Sequence, residues 1–163
     1  MTFDAKHISD SNCIERVRSF LAEKGITSTI LELDQSTKTS QLAAQILGCQ
    51  VSQIAKSIVL KGDKPYIVVI SGDKKVDIQK VSQIVGEDLH VADQNYIEAS
   101  TGYKVGGVPP FPHREGVKIL LDISLERWSE VWTAAGSSNS VMKITVKDLK
   151  RITEGRPVNL SLR

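Results

Sequence analysis

Residues 54–70, IAKSIVLKGDKPYIVVI, hold two apolar, largely β-branched runs, 54–60 and 66–70, on either side of Lys61, Gly62, Asp63, Lys64 and Pro65. Turn-forming residues between two such runs specify a β-hairpin. Near-continuous apolar content, in place of strict alternation, predicts strands covered on both faces at the centre of a sheet. The flanking sequence supplies the covering layers. Asp10, Ser11 and Asn12 can cap a helix that carries Ile14, Val17, Phe20 and Leu21 on one face and stops at Gly25. Thr39 or Ser40 starts a second helix through Leu42, Ala43, Ile46 and Leu47, stopped by Gly48. Downstream of the hairpin, Asp77 caps a helix closed at Gly86, and Asp93 starts another that ends near Gly102.

Further strands are predicted at 26–33, 117–123 and 141–146, with a last one through Val158, Leu160 and Leu162. Leu125, Trp128, Val131, Trp132 and Ala135 read as a helical stripe ending at Gly136, and 147–153 as a short basic helix. Strands intermixed with helices, one pair of them a hairpin, predict an α/β fold with a mixed, curled or barrel-like β-sheet flanked by helices. The 163 residues, 40% hydrophobic and 25% charged, suit a single domain over 1–163.

Composition excludes several classes of function. No apolar run approaches the roughly 20 residues of a membrane helix, and residues 1–10 carry acid beside Lys6 without an apolar leader segment. Cys13 and Cys49 stand 36 positions apart with no C-x-x-C and no histidine pair at ligand spacing, against both a disulfide framework and a zinc site. The expectation is a cytoplasmic protein with free thiols and no cofactor. Walker, G-x-S-x-G, H-E-x-x-H and dinucleotide fingerprints are absent. The net charge of +2 hides an uneven distribution: residues 56–80 hold six lysines against three aspartates, and 143–163 six basic residues against two acidic ones. Such patches suit a polyanionic partner or simply solvated faces.

Two features point to a site. Residues 102–116, GYKVGGVPPFPHREG, carry four glycines and three prolines. Long ordered loops in compact domains tend to be functional, and glycines let backbone amides approach an anion or a developing oxyanion. Lys56 interrupts the apolar run of the first hairpin strand, a costly place for an ammonium unless it reaches water or a partner. Snorkelling explains it structurally; a donor held at a pocket explains it functionally.

The strings AKSIVL (55–60), PYIVVISGD (65–73), TGYKVGGVPPF (101–111), LLD (120–122) and AGS (135–137) together resemble the YbaK/ProX family of aminoacyl-tRNA deacylases. Order and spacing match from about residue 37 to residue 160. The resemblance implies a free-standing, metal-free editing domain, similar to the insertion domain of bacterial prolyl-tRNA synthetases, that hydrolyses the ester of a mischarged aminoacyl-tRNA. It assigns Lys56 to the family's functional lysine, and Gly106, Gly107, Val108, Pro109 and Pro110, with Phe111 beside them, to the loop that holds the aminoacyl end. Thr37 and Thr39 fall in the threonine-containing segment, and Asp122, Gly136, Ser137 and Asn139 in later motif positions; His113 either lines the pocket or ends the loop. Two positions depart from the family pattern, Pro112 where many members have glycine and Val141 where some have an acid. Both bear on which amino acid is accepted.

The chemistry this implies is modest. An aminoacyl ester is already activated, so a pocket has chiefly to position water or the substrate's own ribose hydroxyl and to stabilise the oxyanion. Amides near Gly106 and Gly107 would do the latter, at roughly 3 kcal/mol per donor. Lys74, Lys75, Lys80 and the cations of 147–151 would meet the tRNA backbone. The expected partners are mischarged tRNA and a synthetase, not DNA or a membrane. Two other readings fit the same pocket: a non-catalytic module that binds aminoacyl-tRNA, a synthetase or an amino-acid-like ligand, and a hydrolase of some other ester.

Overall fold

The computed structural model describes residues 8–163; His7 and the remainder of 1–7, the start of the segment read as lacking a leader, lie outside the described residues. The hairpin is the centre, as its apolar content requires. β2 (Ala55–Lys61) and β3 (Pro65–Ser71) pair antiparallel from Ala55↔Ser71 to Lys61↔Pro65. Ile67, Val68, Val69 and Ile70 are wholly buried, covered on both faces.

Among the described residues there are five α-helices and two sheets, and this pair is the centre of one sheet. α1 (Asp10–Glu23) is capped by Ser9, and its Cys13, Ile14, Val17 and Leu21 are buried. β1 (Ile30–Glu32) is the only regular strand within the predicted 26–33. Thr39 caps α2 (Ser40–Leu47), Asp77 caps α3 (Ile78–Val85) and Asp93 caps α4 (Gln94–Thr101), each through a side-chain oxygen that accepts an N–H of the first turn. β4 (His90–Val91) pairs with β2, and β5 (Lys118–Leu121) pairs with β3 in parallel, giving a mixed sheet of order β4-β2-β3-β5. β6 (Glu130–Ala134), β7 (Ser140–Thr145) and β1 form an antiparallel sheet of order β1-β7-β6, and α5 (Val146–Thr153) follows.

The sheets are not closed into a barrel. They meet at a parallel bridge, Ile54↔Trp132. A larger core between them takes Val17, Val59, Ile67, Tyr103, Met142 and Leu149, and a smaller one under α3 takes Leu60, Tyr66, Val68, Val81 and Leu160.

Two elements differ from the expected ones. The helical stripe through Leu125, Trp128, Val131, Trp132 and Ala135 is instead a 3-10 turn, Ile123–Arg127, followed by β6. Val131, Thr133 and Ala135 are buried and alternate with more exposed neighbours; apolar residues at both parities let a short strand imitate helical spacing. The terminal strand through Val158, Leu160 and Leu162 is reduced to isolated bridges, Asp122↔Val158 and Val76↔Ser161, with Leu160 alone of the three fully buried. No described helix is long and apolar enough to cross a membrane.

Candidate functional site

Where the two sheets meet, they leave a cavity of about 300 Å³. One wall is the edge of β2, residues 54–59, and the opposite wall is Trp132, Thr133 and Ala134 of β6 with Val141 of β7. The roof consists of Thr37, Lys38, Thr39 and Ser40 against Val105, Gly106 and Val108. Among the described residues, no carboxylate, histidine or thiol lines it.

Lys56 supplies the cavity's half-buried cation. Its Nζ donates to Gly72 O at 3.4 Å, and among the described residues it forms no ion pair. The carboxylate that acts on it, Asp73, is taken in a fork by Arg127 at 2.7 and 3.0 Å, which holds Asp73 below its usual range. Burial lowers the Lys56 pKa, against the pull of Asp73 and with the help of Lys75. An ammonium has three donors, so Lys56 keeps hydrogen-bonding capacity for a ligand.

The glycine loop divides into a lining part and an anchoring part. Gly106 lines the cavity at φ +89°, and a Cβ there would lie 2.7 Å from Lys38 Cγ, so the loop and the Lys38 stem are in contact. Gly107 does not line it. Its N–H donates to Lys104 O and its carbonyl accepts from Gly136 N–H, so this amide is committed inside the fold and not free for an oxyanion. Val108 lines the cavity, while Pro109, Pro110 and Phe111 are buried behind it, Phe111 against Phe20 of α1 with ring centroids 5.3 Å apart.

The threonines and the later motif form one assembly. Thr37 is buried and gives both its N–H (2.7 Å) and its Oγ1 (3.1 Å) to Ser138 O. Thr39 spends its hydroxyl on the α2 cap. The turn that presents Ser138 is held by Ser137 Oγ on Asn139 and Ser140, and by Asn139 Nδ2 on Leu33 O. Gly136 packs on the α1 backbone, where a Cβ would fall 2.9 Å from Cys13 C and O. Gly136, Ser137 and Asn139 therefore stand behind the roof and fix it. Asp122 is farther away and wholly buried, its carboxylate accepting from Ser124 N–H and Leu160 N–H.

His113 ends the loop outside the cavity. Its Nε2 meets Pro109 O at 2.8 Å, so that nitrogen carries the proton, and the ring lies edge-on to Tyr103. Burial pushes its pKa down to about 4. The folded state thus resists protonation while the unfolded chain takes up a proton near 6.5, so stability is full above about pH 6.5 and falls as pH drops towards 4. Thermal unfolding of His113→Phe should lack this part of the slope, worth up to about 1.4 kcal/mol per pH unit in the wild type; identical slopes would contradict the assignment.

Cys13 and Cys49 are free, and burial pushes both thiols up, so neither is an activated nucleophile. The lining residues not singled out from sequence are chiefly Trp132, Thr133 and Ala134, hidden by the helical reading of β6, and Lys38 and Ser57, each beside a residue that was.

A cation with spare donors in a small, mainly apolar chamber is suited to holding a small polar group. Residues 34–152 match the aminoacyl-tRNA editing domain family, and the chain belongs to it. It is 32% identical over 142 residues to the protein YwhH of Bacillus subtilis, covering 86% of this chain and 90% of that one. It is 24% identical over 152 residues, 89% of this chain and 90% of the other, to the multifunctional Ser/Thr-tRNA deacylase ProXp-y of Escherichia coli. The crystal structure of a candidate trans-editing enzyme for prolyl tRNA synthetase superposes with a TM-score of 0.86 at 33% identity, over 93% of this chain and 98% of that one.

Proposed function

We propose that this protein is an aminoacyl-tRNA deacylase that acts in trans on mischarged tRNA. Water adds to the ester carbonyl, the acyl–oxygen bond breaks, and the free amino acid leaves with the tRNA 3′ end restored as a hydroxyl. The observation that carries this reading is Lys56, held in a 300 Å³ chamber with donors to spare. Its ammonium stabilises the negative charge that develops on the carbonyl oxygen, and a single such donor in a water-poor site is worth about 10²- to 10³-fold in rate.

The nucleophile is water, positioned with the help of the substrate's own ribose hydroxyl, because no carboxylate or histidine of the described residues lines the chamber to act as its base. This reading needs no metal. Lys38 and Lys104 border an adjoining outer hollow with Gln94 and Glu98, a suitable place for the phosphates that follow the aminoacyl end, and Lys75 lies near enough to Lys56 to perturb it. A synthetase is the natural second partner, as supplier of the mischarged tRNA.

The test is a panel of alanyl-, seryl- and cysteinyl-tRNA(Pro), scored as release above spontaneous hydrolysis. Release from at least one is expected. Silence with tight tRNA binding would favour the non-catalytic module instead, and silence without binding would defeat both.

A further inference from the structure

The wall that β2 presents to the cavity is a strand edge, and its polarity can be derived. Gly72 N–H donates to Ile54 O at 2.7 Å, and the register Ala55↔Ser71 places Ile54 opposite Gly72. In an antiparallel pair, residues alternate between those whose N–H and C=O face the partner and those whose groups face away. Ile54, Lys56, Ile58 and Leu60 therefore face β3, and Ala55, Ser57, Val59 and Lys61 face the other edge. Pro65, with no N–H, sits opposite Lys61 as this parity demands. At one end that outer edge is taken by β4, through Lys61↔His90 and Leu60↔Val91. At the other it is closed by the Ile54↔Trp132 bridge. Between them no strand pairs with the outer edge among the described residues, and Ser57, in the middle, lines the cavity.

We infer that the aminoacyl group docks on Ser57 as a one-residue β-strand. Resting on the deacylase reading above, this names how that site holds its substrate. The α-ammonium donates to Ser57 C=O and the ester carbonyl accepts from Ser57 N–H, the reciprocal exchange of a hydrogen-bonded antiparallel pair. An aminoacyl ester has the donor and acceptor spacing of one strand residue, and no side chain in the cavity offers the carboxylate that usually receives an ammonium. Main-chain pairing is indifferent to the substrate side chain, which leaves selection among amino acids to the apolar walls. It also demands a free α-ammonium.

Ser57→Pro, compared with Ser57→Ala, tests the donor: both remove the buried, unpartnered hydroxyl, and only proline removes the N–H. The N–H it removes faces an edge that no strand pairs among the described residues, and proline is tolerated on the open side of an edge strand. Folded S57P is expected to fall about 100-fold or more below S57A in kcat/KM on whichever aminoacyl-tRNA the wild type hydrolyses; a folded S57P within about threefold of S57A would overturn the inference. Should S57P fail to fold, the wild type decides, using the same tRNA after nitrous acid has converted the α-ammonium to hydroxyl. Normalised to spontaneous hydrolysis, the α-hydroxyacyl ester is expected to react about 10-fold more slowly or worse, and equal acceleration would overturn docking on Ser57 C=O. Failure of the deacylase reading looks different: the wild type would then hydrolyse no aminoacyl-tRNA.

Discussion

Lys56→Ala should cut single-turnover deacylation by about 10²- to 10³-fold while the protein folds normally. The side chain hangs from the start of β2, its one hydrogen bond is to Gly72 O, and Asp73, which could have neutralised it, is engaged by Arg127. Removing it breaks no ion pair and relieves the desolvation that lowers its pKa, so the melting temperature should hold or rise slightly. The loss should fall equally on kcat and kcat/KM, since the charge acts on an oxyanion absent from the ground state. Lys56→Arg should rescue poorly, because the planar fork is longer and bulkier than the ammonium in a chamber of about 300 Å³. A Lys56→Ala protein that deacylates at the wild-type rate would remove Lys56 from the chemistry.

Gly107→Ala should destabilise the protein by about 3 kcal/mol or more, lowering its melting temperature by about 10 °C, and abolish most activity. The added Cβ would lie 2.7–2.8 Å from Ser137 Cα, C and N. These are backbone atoms, so no rotamer relieves the clash; either the glycine loop or the 136–140 turn must move. That turn carries Ser138 O, on which Thr37 is hung twice, and the loop carries Gly106. Displacement at one point therefore shifts two parts of the cavity roof. Calorimetry and the deacylation assay should move together, and a variant with wild-type values in both would show that loop and turn are not locked.

What could be read in advance follows the range of the interactions involved. The hairpin, the helix starts at Thr39, Asp77 and Asp93 and the ordered loop are written in adjacent residues, as caps and turns, and the structure has them there. β6 imitates a helix in sequence because alternation over five residues and a helical stripe share positions 131 and 135; the deciding fact, pairing with β7, is not local. The cavity shows the same division. Lys56 stood out as a charge in an apolar run, whereas Trp132 and Ala134, which face it from a strand more than 70 residues later, carry no chemistry that a sequence would flag. Open backbone at Ser57 is invisible in side chains altogether, since it depends on where β4 begins and where Ile54 meets Trp132.

Unpaired strand edges are templates for unwanted association between molecules, and proteins commonly defend them with lysines, bulges or prolines. Here the defence is dimensional. β4 blocks one end of the gap and the Ile54–Trp132 bridge the other, confining it to residues 55–59, of which Ala55, Ser57 and Val59 face outward. At about 3.3 Å per residue, this window is too short, and too enclosed at both ends, for a passing strand to zip along it. The same closure that leaves a small polar foothold open denies it to aggregation.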